Sequence, residues 1–306
     1  MSLSVFALQL LNGVQFGVLL FLLSAGLTLV LGIMGFVNLM HGSLFMLGAY
    51  LAVSLHELTG SFLLSGAGAV VGTVIAGVLL ERLVLRELYQ RSHLDQVLAT
   101  FGLILILNEV VRAVWGPAAK SMDVPASLAS TVTLLGLPYS SYRFAVIAVG
   151  LAIAIGMYLL IHRTRLGIWI RAAASNTPMS GAMGINVQLL NMGVVGLGAA
   201  LAAIAGLMAA PLSSVQSGMG EPILIMALVV IVTGGIGSVR GAFYGAMIVG
   251  VIDTLGRSML PLILREVMER NAAQAIGPAV ASMLIYIVMA AVLVFRPQGL
   301  FPVRHG

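Results

Sequence analysis

Few of the residue types that carry chemistry occur in this chain, and those few are scattered. Among 306 residues there is no cysteine, so disulfides, thiolate metal sites and thiol nucleophiles are excluded. The only lysine is Lys120, in Pro-Ala-Ala-Lys-Ser-Met. A phosphate-binding loop needs its lysine directly after a glycine-rich turn, and no such turn precedes Lys120. The histidines His41, His56, His93, His162 and His305 include no pair four apart, the spacing of a helical zinc site. No Gly-x-Ser-x-Gly elbow is present either. What remains is a small polar set within apolar sequence. Asn38 and His41 stand beside Gly42, Asn108 and Glu109 lie one turn before Arg112, and Asp253 lies four residues before Arg257. Glu109 with Arg112 and Asp253 with Arg257 have the spacing of structural ion pairs on one helix face. An ion-coupled carrier needs carboxylates deep in its spans, and these two are peripheral. His41 is different, because ionisable groups inside a membrane are costly and often functional. It has two readings: a polar group on a transport path, or an imidazole bonded to a carbonyl at a helix break.

The elements that position these residues are membrane spans. Hydrophobic residues make up 60% of the chain and charged residues 8%, against roughly 25% charged in soluble domains. Mean hydropathy is +1.11. The first charged side chain is Glu57, and 49 residues without one separate Arg171 from Glu221. About 20 apolar residues cross a bilayer as a helix, so the chain reads as an all-α polytopic membrane protein, one transmembrane domain over 1–306. The runs are continuous, which excludes the alternation of a β-barrel. Eight or nine crossings are expected, near 5–30, 36–56, 62–80, 96–115, 142–161, 188–210, 222–238, 241–256 and 275–295. Some are expected to be broken or re-entrant, since Gly32, Gly35 and Asn38–Gly42 interrupt one stretch and Gly234, Gly235 and Gly237 another. Irregular backbone at membrane depth survives only against protein or a water-filled cavity. The N-terminus lacks the positive start of a cleaved signal, so the first span is expected to be retained.

Net charge is +5, but the basic residues sit in short groups between spans rather than on a dense face, which argues against nucleic acid. Nine crossings put Arg82, Arg86, Arg91, Arg163, Arg165, Arg171, Arg240, Arg296 and Arg304 on one side. The other side receives Arg112, Lys120, Arg143, Arg257, Arg265 and Arg270. The more basic side is expected to be cytoplasmic, with the N-terminus outside and the C-terminus inside. Small residues recur every fourth position at Gly68-Gly72-Ala76, Gly198-Ala202-Gly206 and Gly241-Gly245. Such rows let helix backbones approach closely, either within the bundle or against a second subunit. A faint echo relates Gly35–Gly48 to Gly235–Gly250, both glycine-interrupted, and interrupted segments in corresponding halves point to a transport site.

The segment at about 163–187 is the richest in signals. Arg171 to Ala174 favours helix, Asn176 or Thr177 is placed to cap a second short helix, Pro178 suits its first turn, and Gly184 ends it. A short, small-residue-rich helix between spans has the form of a docking element.

Together these residues resemble the permease subunits of ATP-binding-cassette importers for branched-chain amino acids, the LivH type. The resemblance is collinear over essentially the whole chain. It runs through Gly26-Leu-Thr-Leu-Val-Leu-Gly32, Asn38-Leu-Met-His-Gly-Ser-Leu-Phe-Met-Leu-Gly-Ala-Tyr50, Ala99-Thr-Phe-Gly-Leu103 and Thr164-Arg-Leu-Gly-Ile168. Arg171-Ala-Ala-Ala, Met183-Gly-Ile185, Thr233-Gly-Gly-Ile-Gly-Ser238 and Arg296-Pro-Gln-Gly-Leu-Phe301 continue it. The resemblance implies an importer permease fold in the bacterial inner membrane. It also implies that Arg171, Ala172, Ala173, Ala174 and Gly184 belong to the segment coupling the permease to its ATPase. Arg171 precedes the alanines where the family carries Glu, and Glu221 stands where an apolar or aromatic residue is more frequent. The implied partners are a homologous second permease of the LivM type, two ATPase subunits and a periplasmic binding protein. ATP and Mg2+ are expected on the ATPases, with no cofactor on this chain. Asn38, His41, Gly42, Gly234, Gly235 and Gly237 are the candidates for the translocation path. Relatives that import urea, short amides or small organic acids keep the solute open. The rival class, a stand-alone secondary carrier, lacks its deep carboxylates, and an intramembrane enzyme lacks any catalytic cluster.

Overall fold

The computed structural model describes residues 3–134 and 136–301. Arg304 and His305 lie outside the described residues. The order of elements is α1 (Leu3–Met34), α2 (His41–Thr59) and α3, whose Phe62–Leu80 continues through a π-turn at Glu81–Leu85 to Leu88. Then come α4 (His93–Trp115), a hairpin of β1 (Thr131–Leu134) and β2 (Leu137–Ser140), and α5 (Ser141–Arg163). The short helices α6 (Arg165–Ser175) and α7 (Thr177–Ala182) lead to α8 (Val187–Ala209), α9 (Gly220–Gly234), α10 (Val239–Leu264) and α11 (Arg270–Phe295).

Seven of these helices, α1, α3, α4, α5, α8, α10 and α11, are long and apolar enough to cross a membrane. The two remaining expected spans are the interrupted ones. The stretch expected as 36–56 becomes helical only at His41, and 222–238 is the 15-residue α9. At 1.5 Å per residue α9 is about 22 Å long, short of a hydrocarbon core of about 30 Å. The span expected to stop at 256 continues to Leu264, because Asp253 accepts both Arg257 contacts at 2.9 Å and carries that cation within the helix.

The centre of the bundle is α1. Beyond Gln15 it has no charged residue and no polar stripe, the pattern of a helix with no solvent side, and 83% of its most apolar window is buried. It lies antiparallel to α10, with Gly13 and Gly17 against Gly250, Val251 and Ala246, Phe21 edge-on to Phe243 at 5.3 Å, and Gly32 against Gly237. Across another face Gly26 meets Gly198 of α8; a Cβ on Gly26 would lie 2.8 Å from the Gly198 Cα. Lipid supplies no hydrophobic drive between helices, so close backbone approach through small residues does the packing. The rows read in the sequence are all used inside the chain. Gly68 and Gly72 receive Leu55 and Leu51, Gly206 seats against the Phe45 carbonyl, and Gly241 and Gly245 face Gly234 and Val230.

One end of the bundle collects the ends of α3 and α5, α6, α7 and the starts of α8 and α10. There Arg86 of α3 donates to Gln188 of α8, and Tyr89 donates to the buried Glu81 carboxylate at 2.9 Å. Burial, and then that carboxylate, raise the Tyr89 hydroxyl above the ordinary phenol range. At the other end Lys120 reaches both Glu57 oxygens at 3.1 Å and exchanges backbone hydrogen bonds with Val215 at 2.8 Å, while β1 and β2 pair with Thr131 opposite Ser140.

The Gly26–Gly198 contact yields a stability prediction. Gly26→Ala places its Cβ against backbone on one side and the His41 ring on the other, an overpacking that costs about 1–3 kcal/mol. Thermal unfolding of the purified protein in detergent is expected to show a lower midpoint. Gly102→Ala on α4, with nothing within 4 Å of its Cβ, is expected to match or exceed the parent.

Candidate translocation site

The break after α1 folds back rather than looping out. Gly35 takes a left-handed φ of +60°, and residues 36–40 return alongside α1 until α2 starts at His41. There the ring Nε2 lies 3.2 Å from the Leu23 carbonyl. A carbonyl only accepts, so Nε2 carries the proton and donates. Leu23 is eleven residues before Met34, so α2 begins about 16 Å inside the bundle from the end of α1. The His41 ring is buried, wedged where Gly26 and Gly198 leave room for it.

Asn38 holds the start of α2. Its Oδ1 accepts from the Met40 N–H at 3.1 Å and its backbone carbonyl from the His41 N–H at 3.3 Å. The side chain is buried, and its Nδ2 has no hydrogen-bond partner among the described residues. Next to it, Gly42 meets Gly220, the first residue of α9; a Cβ on Gly42 would stand 2.4 Å from the Gly220 carbonyl oxygen. The N-terminal ends of two interrupted helices therefore touch inside the bundle. Each presents the positive end of its helix dipole to that junction.

Glu221 follows Gly220 and is half-buried. Its Oε1 accepts from Asn108 Nδ2 at 2.5 Å, and Ser217 donates to the Asn108 carbonyl at 3.2 Å. Among the described residues no cation pairs with Glu221, whereas Glu109 has Arg112 at 3.1 Å, Glu57 has Lys120 and Asp253 has Arg257. Sequence reasoning set Asn108 beside Glu109 and missed this pairing, which spans 113 residues. Its one local signal was an acid opening a short helix after Gly218-Met-Gly.

The second break lies at the other end of α9. Gly235 has φ +112° and Gly237 φ +79°. The Gly237 N–H donates to Thr28 Oγ1 at 3.1 Å, fastening the turn to α1. The Arg296–Phe301 segment covers it: Leu300 and Phe301 donate to the Thr233 and Gly234 carbonyls at 3.0 and 2.8 Å. A Cβ on Gly235 would strike the Phe301 carbonyl at 2.9 Å. Gly234 and Gly235 are thus buried under the chain's own backbone, while Ile236 is exposed and Gly237 half-buried. The six path candidates fall into two groups separated by the length of α9, with α1 running past both.

The 163–187 segment folds as the sequence predicts. Thr164 caps α6 through Gly167 N–H at 3.2 Å, Asn176 caps α7 through Met179 N–H at 2.9 Å, and Gly184 closes the turn with φ +89°. Arg171 donates to the Ile161 carbonyl, tying α6 to the end of α5. Ala173 is buried and Ala172 and Ala174 are half-buried, so the alanines seat α6 on the bundle. The outward surface is shared: α6 exposes Leu166, Ile168 and Trp169, and on α7 and the turn after it Met179 and Met183 are 59% and 79% exposed. Those two methionines are flexible, polarizable side chains that the alanine pattern did not single out. A cavity of about 310 Å3 joins the groups, lined by Arg171 and Ala174 of α6, Gly32 of α1, and Gly237 and Ser238 of the second break.

Burial of His41 gives the next prediction. In this cysteine-free chain, His41→Cys is expected to resist a small water-soluble maleimide in the conformation described above. Rapid, complete labelling of the folded purified protein contradicts the packing.

Comparison with known proteins follows the same outline. The chain is 28% identical to the high-affinity branched-chain amino acid permease BraD of Pseudomonas aeruginosa, over 95% of this chain and 94% of that protein. It is 29% identical to the permease LivH of Salmonella typhimurium, over 86% and 90%. It is also 28% identical to the ribose import permease RbsC of Escherichia coli, over 76% and 72%. No solved structure matches. A family described as "Branched-chain amino acid transport system / permease component" matches residues 9–293, and the chain, a multi-pass membrane permease, belongs to it.

Proposed function

We propose that this chain forms half of the translocation path of an ATP-binding-cassette importer for branched-chain or other hydrophobic amino acids. The carrying observation is the junction of the α2 and α9 N-termini at Gly42 and Gly220, with a buried amide unpaired among the described residues, Asn38 Nδ2, four residues before Gly42 and the Glu221 carboxylate next to Gly220. Helix N-termini and an amide donor suit a carboxylate, and a carboxylate without its own cation suits an ammonium. A zwitterion needs both, and the apolar remainder of α9 suits an aliphatic side chain. Urea and short amides carry neither charge, small organic acids lack the ammonium, and a sugar such as ribose lacks both. The junction is closed in this conformation: His41 and Gly42 form the constriction, and the Gly234–Gly237 turn serves as the hinge of α9.

Glu221, Ile225, Leu228 and Val232 lie on one face of α9, and each is exposed or half-buried. That stripe suits a second, homologous permease whose own face completes the path. The α7 surface docks an ATPase, one of two, which bind ATP and Mg2+; a periplasmic binding protein delivers the solute. Eight arginines of the described chain gather at the α6–α7 end, so that end is cytoplasmic and the N-terminus is outside. Nucleotide-driven motion of α6 reaches the hinge through the cavity it shares with Gly32 and Gly237.

Two outcomes test this reading. Glu221→Gln in the complex reconstituted in liposomes is expected to lower uptake of radiolabelled leucine by about tenfold or more, the weight of a charged hydrogen bond. ATP hydrolysis is expected to persist, and undiminished uptake would sink the ammonium role. In Gly184→Trp the added Cβ meets no neighbour within 4 Å, but any side chain there opposes the left-handed backbone, costing about 1–2 kcal/mol locally. It is expected to abolish ligand-stimulated ATP hydrolysis while the permease remains in the membrane.

A further inference from the structure

Between α5 and α10, at the basic end of the bundle, lies an open groove of about 490 Å3. Its walls are Leu151 and Ile155 of α5, Phe243 and Tyr244 of α10, Phe21 at its base and Phe301 of the terminal segment, and all but Phe21 and Phe243 are more than 40% exposed. From Leu151 to His162 the α5 wall is about 16 Å long. The apolar residues face the space that hydrocarbon fills in a membrane.

The head of the groove is cationic. Arg240 donates from Nη2 to the Tyr158 hydroxyl at 3.2 Å, with its guanidinium 5.1 Å from the centre of the same ring. His162 stacks on the other end of this cluster, its ring 4.4 Å from that of Tyr158 and its Nδ1 3.0 Å from the Tyr158 carbonyl. Arg240 is exposed and has no acidic partner among the described residues, and no acidic residue lines the groove. The tyrosine thus fixes a guanidinium that no acidic side chain among the described residues neutralises, at the top of an apolar trough. Arg163 and Arg165 follow within a few residues and keep the surrounding field positive.

We propose that this groove binds an anionic diacyl phospholipid, one acyl chain lying along Leu151, Ile155, Tyr244 and Phe301 and the headgroup phosphate on Arg240 beside His162. Basic pockets between spans at the membrane surface select acidic lipids for this reason: the phosphate supplies the missing anion while the chain covers the apolar wall. A planar guanidinium held by a ring offers two parallel donors to phosphate oxygens. The occupant is a lipid rather than a soluble phosphate because the trough below the arginine would otherwise stay open to hydrocarbon. The proposal is independent of the amino-acid reading above, since it uses none of the residues placed at the α2–α9 junction.

Native mass spectrometry of the purified full-length protein, given equal phosphatidylglycerol and phosphatidylcholine, tests it. Retention of phosphatidylglycerol is expected to exceed that of phosphatidylcholine by about fivefold, the effect of one arginine beside an acidic headgroup. Arg240→Gln is expected to erase the preference, Arg240→Lys to keep most of it and Arg91→Gln, outside the groove, to leave it whole. Ile155→Trp, which fills the trough, is expected to reduce retention of both lipids. Equal retention of the two lipids, or a preference unchanged in Arg240→Gln, overturns the proposal. So does displacement of the lipid by soluble glycerol phosphate, which would make the head alone the site. Loss of the bound lipid on assembly with the second permease would show that a protein face covers the groove, and overturns it as well.

Discussion

Backbone-to-backbone contact along α1 is the constraint on which the rest of this structure depends. A helix surrounded by protein inside a membrane gains nothing from expelling water, so its stability comes from how near its neighbours can come. Here that distance is set by glycine on both sides at once: Gly26 with Gly198, Gly32 with Gly237, Gly17 with Gly250. Where two glycines leave a gap large enough for a ring, the chain puts His41 into it and ties the ring to α1. The same economy of volume lets α2 begin within the bundle, because Gly42 and Gly220 allow two helix ends to touch. The polar junction is therefore a product of the packing and is held by it.

Much of this was legible in the sequence. Continuous apolar runs gave the spans, since length and lack of charge are all a crossing helix requires. The Asn176 cap, Pro178 and Gly184 marked α7 because capping is local, decided by side chains within three residues of the backbone they serve. The glycine interruptions marked both breaks for a similar reason: few other residues tolerate the φ values at Gly35 and Gly235. Illegible were the facts that rest on long-range approach. Nothing near Gly235 announces that residues 298–301 will cover it, and nothing near Asn108 announces Glu221. The resemblance put the alanines after Arg171 in the coupling segment, but which of that segment's side chains face outward was not legible: Ala173 is buried while Met179 and Met183 are exposed. Exposure depends on which face of a short helix meets the bundle, and an eleven-residue helix rich in small residues states that weakly.

The two breaks also divide the labour of one short helix. At its start α9 meets α2 and carries the polar groups; at its end it is pinned to Thr28 and roofed by the terminal segment. Its start is held by side chains, through the Glu221–Asn108 hydrogen bond, and its end by backbone. The cavity behind Gly237 and Arg171 lies at the end held by backbone.

The central position of α1 has a consequence for biogenesis. Its partners α8 and α10 occupy residues 187–264, so well over a hundred residues must be synthesised and inserted before the first helix acquires most of its neighbours. Until then its glycine face lies against acyl chains, which tolerate it because they are as apolar as the surface they cover. Insertion and assembly are thereby separate stages for this chain, and the slow stage is the search of late helices for an early one, a high contact order within a membrane. Substitutions on that face would leave each span inserted and yet strand the chain between the two stages, as a full-length product open to quality-control proteolysis.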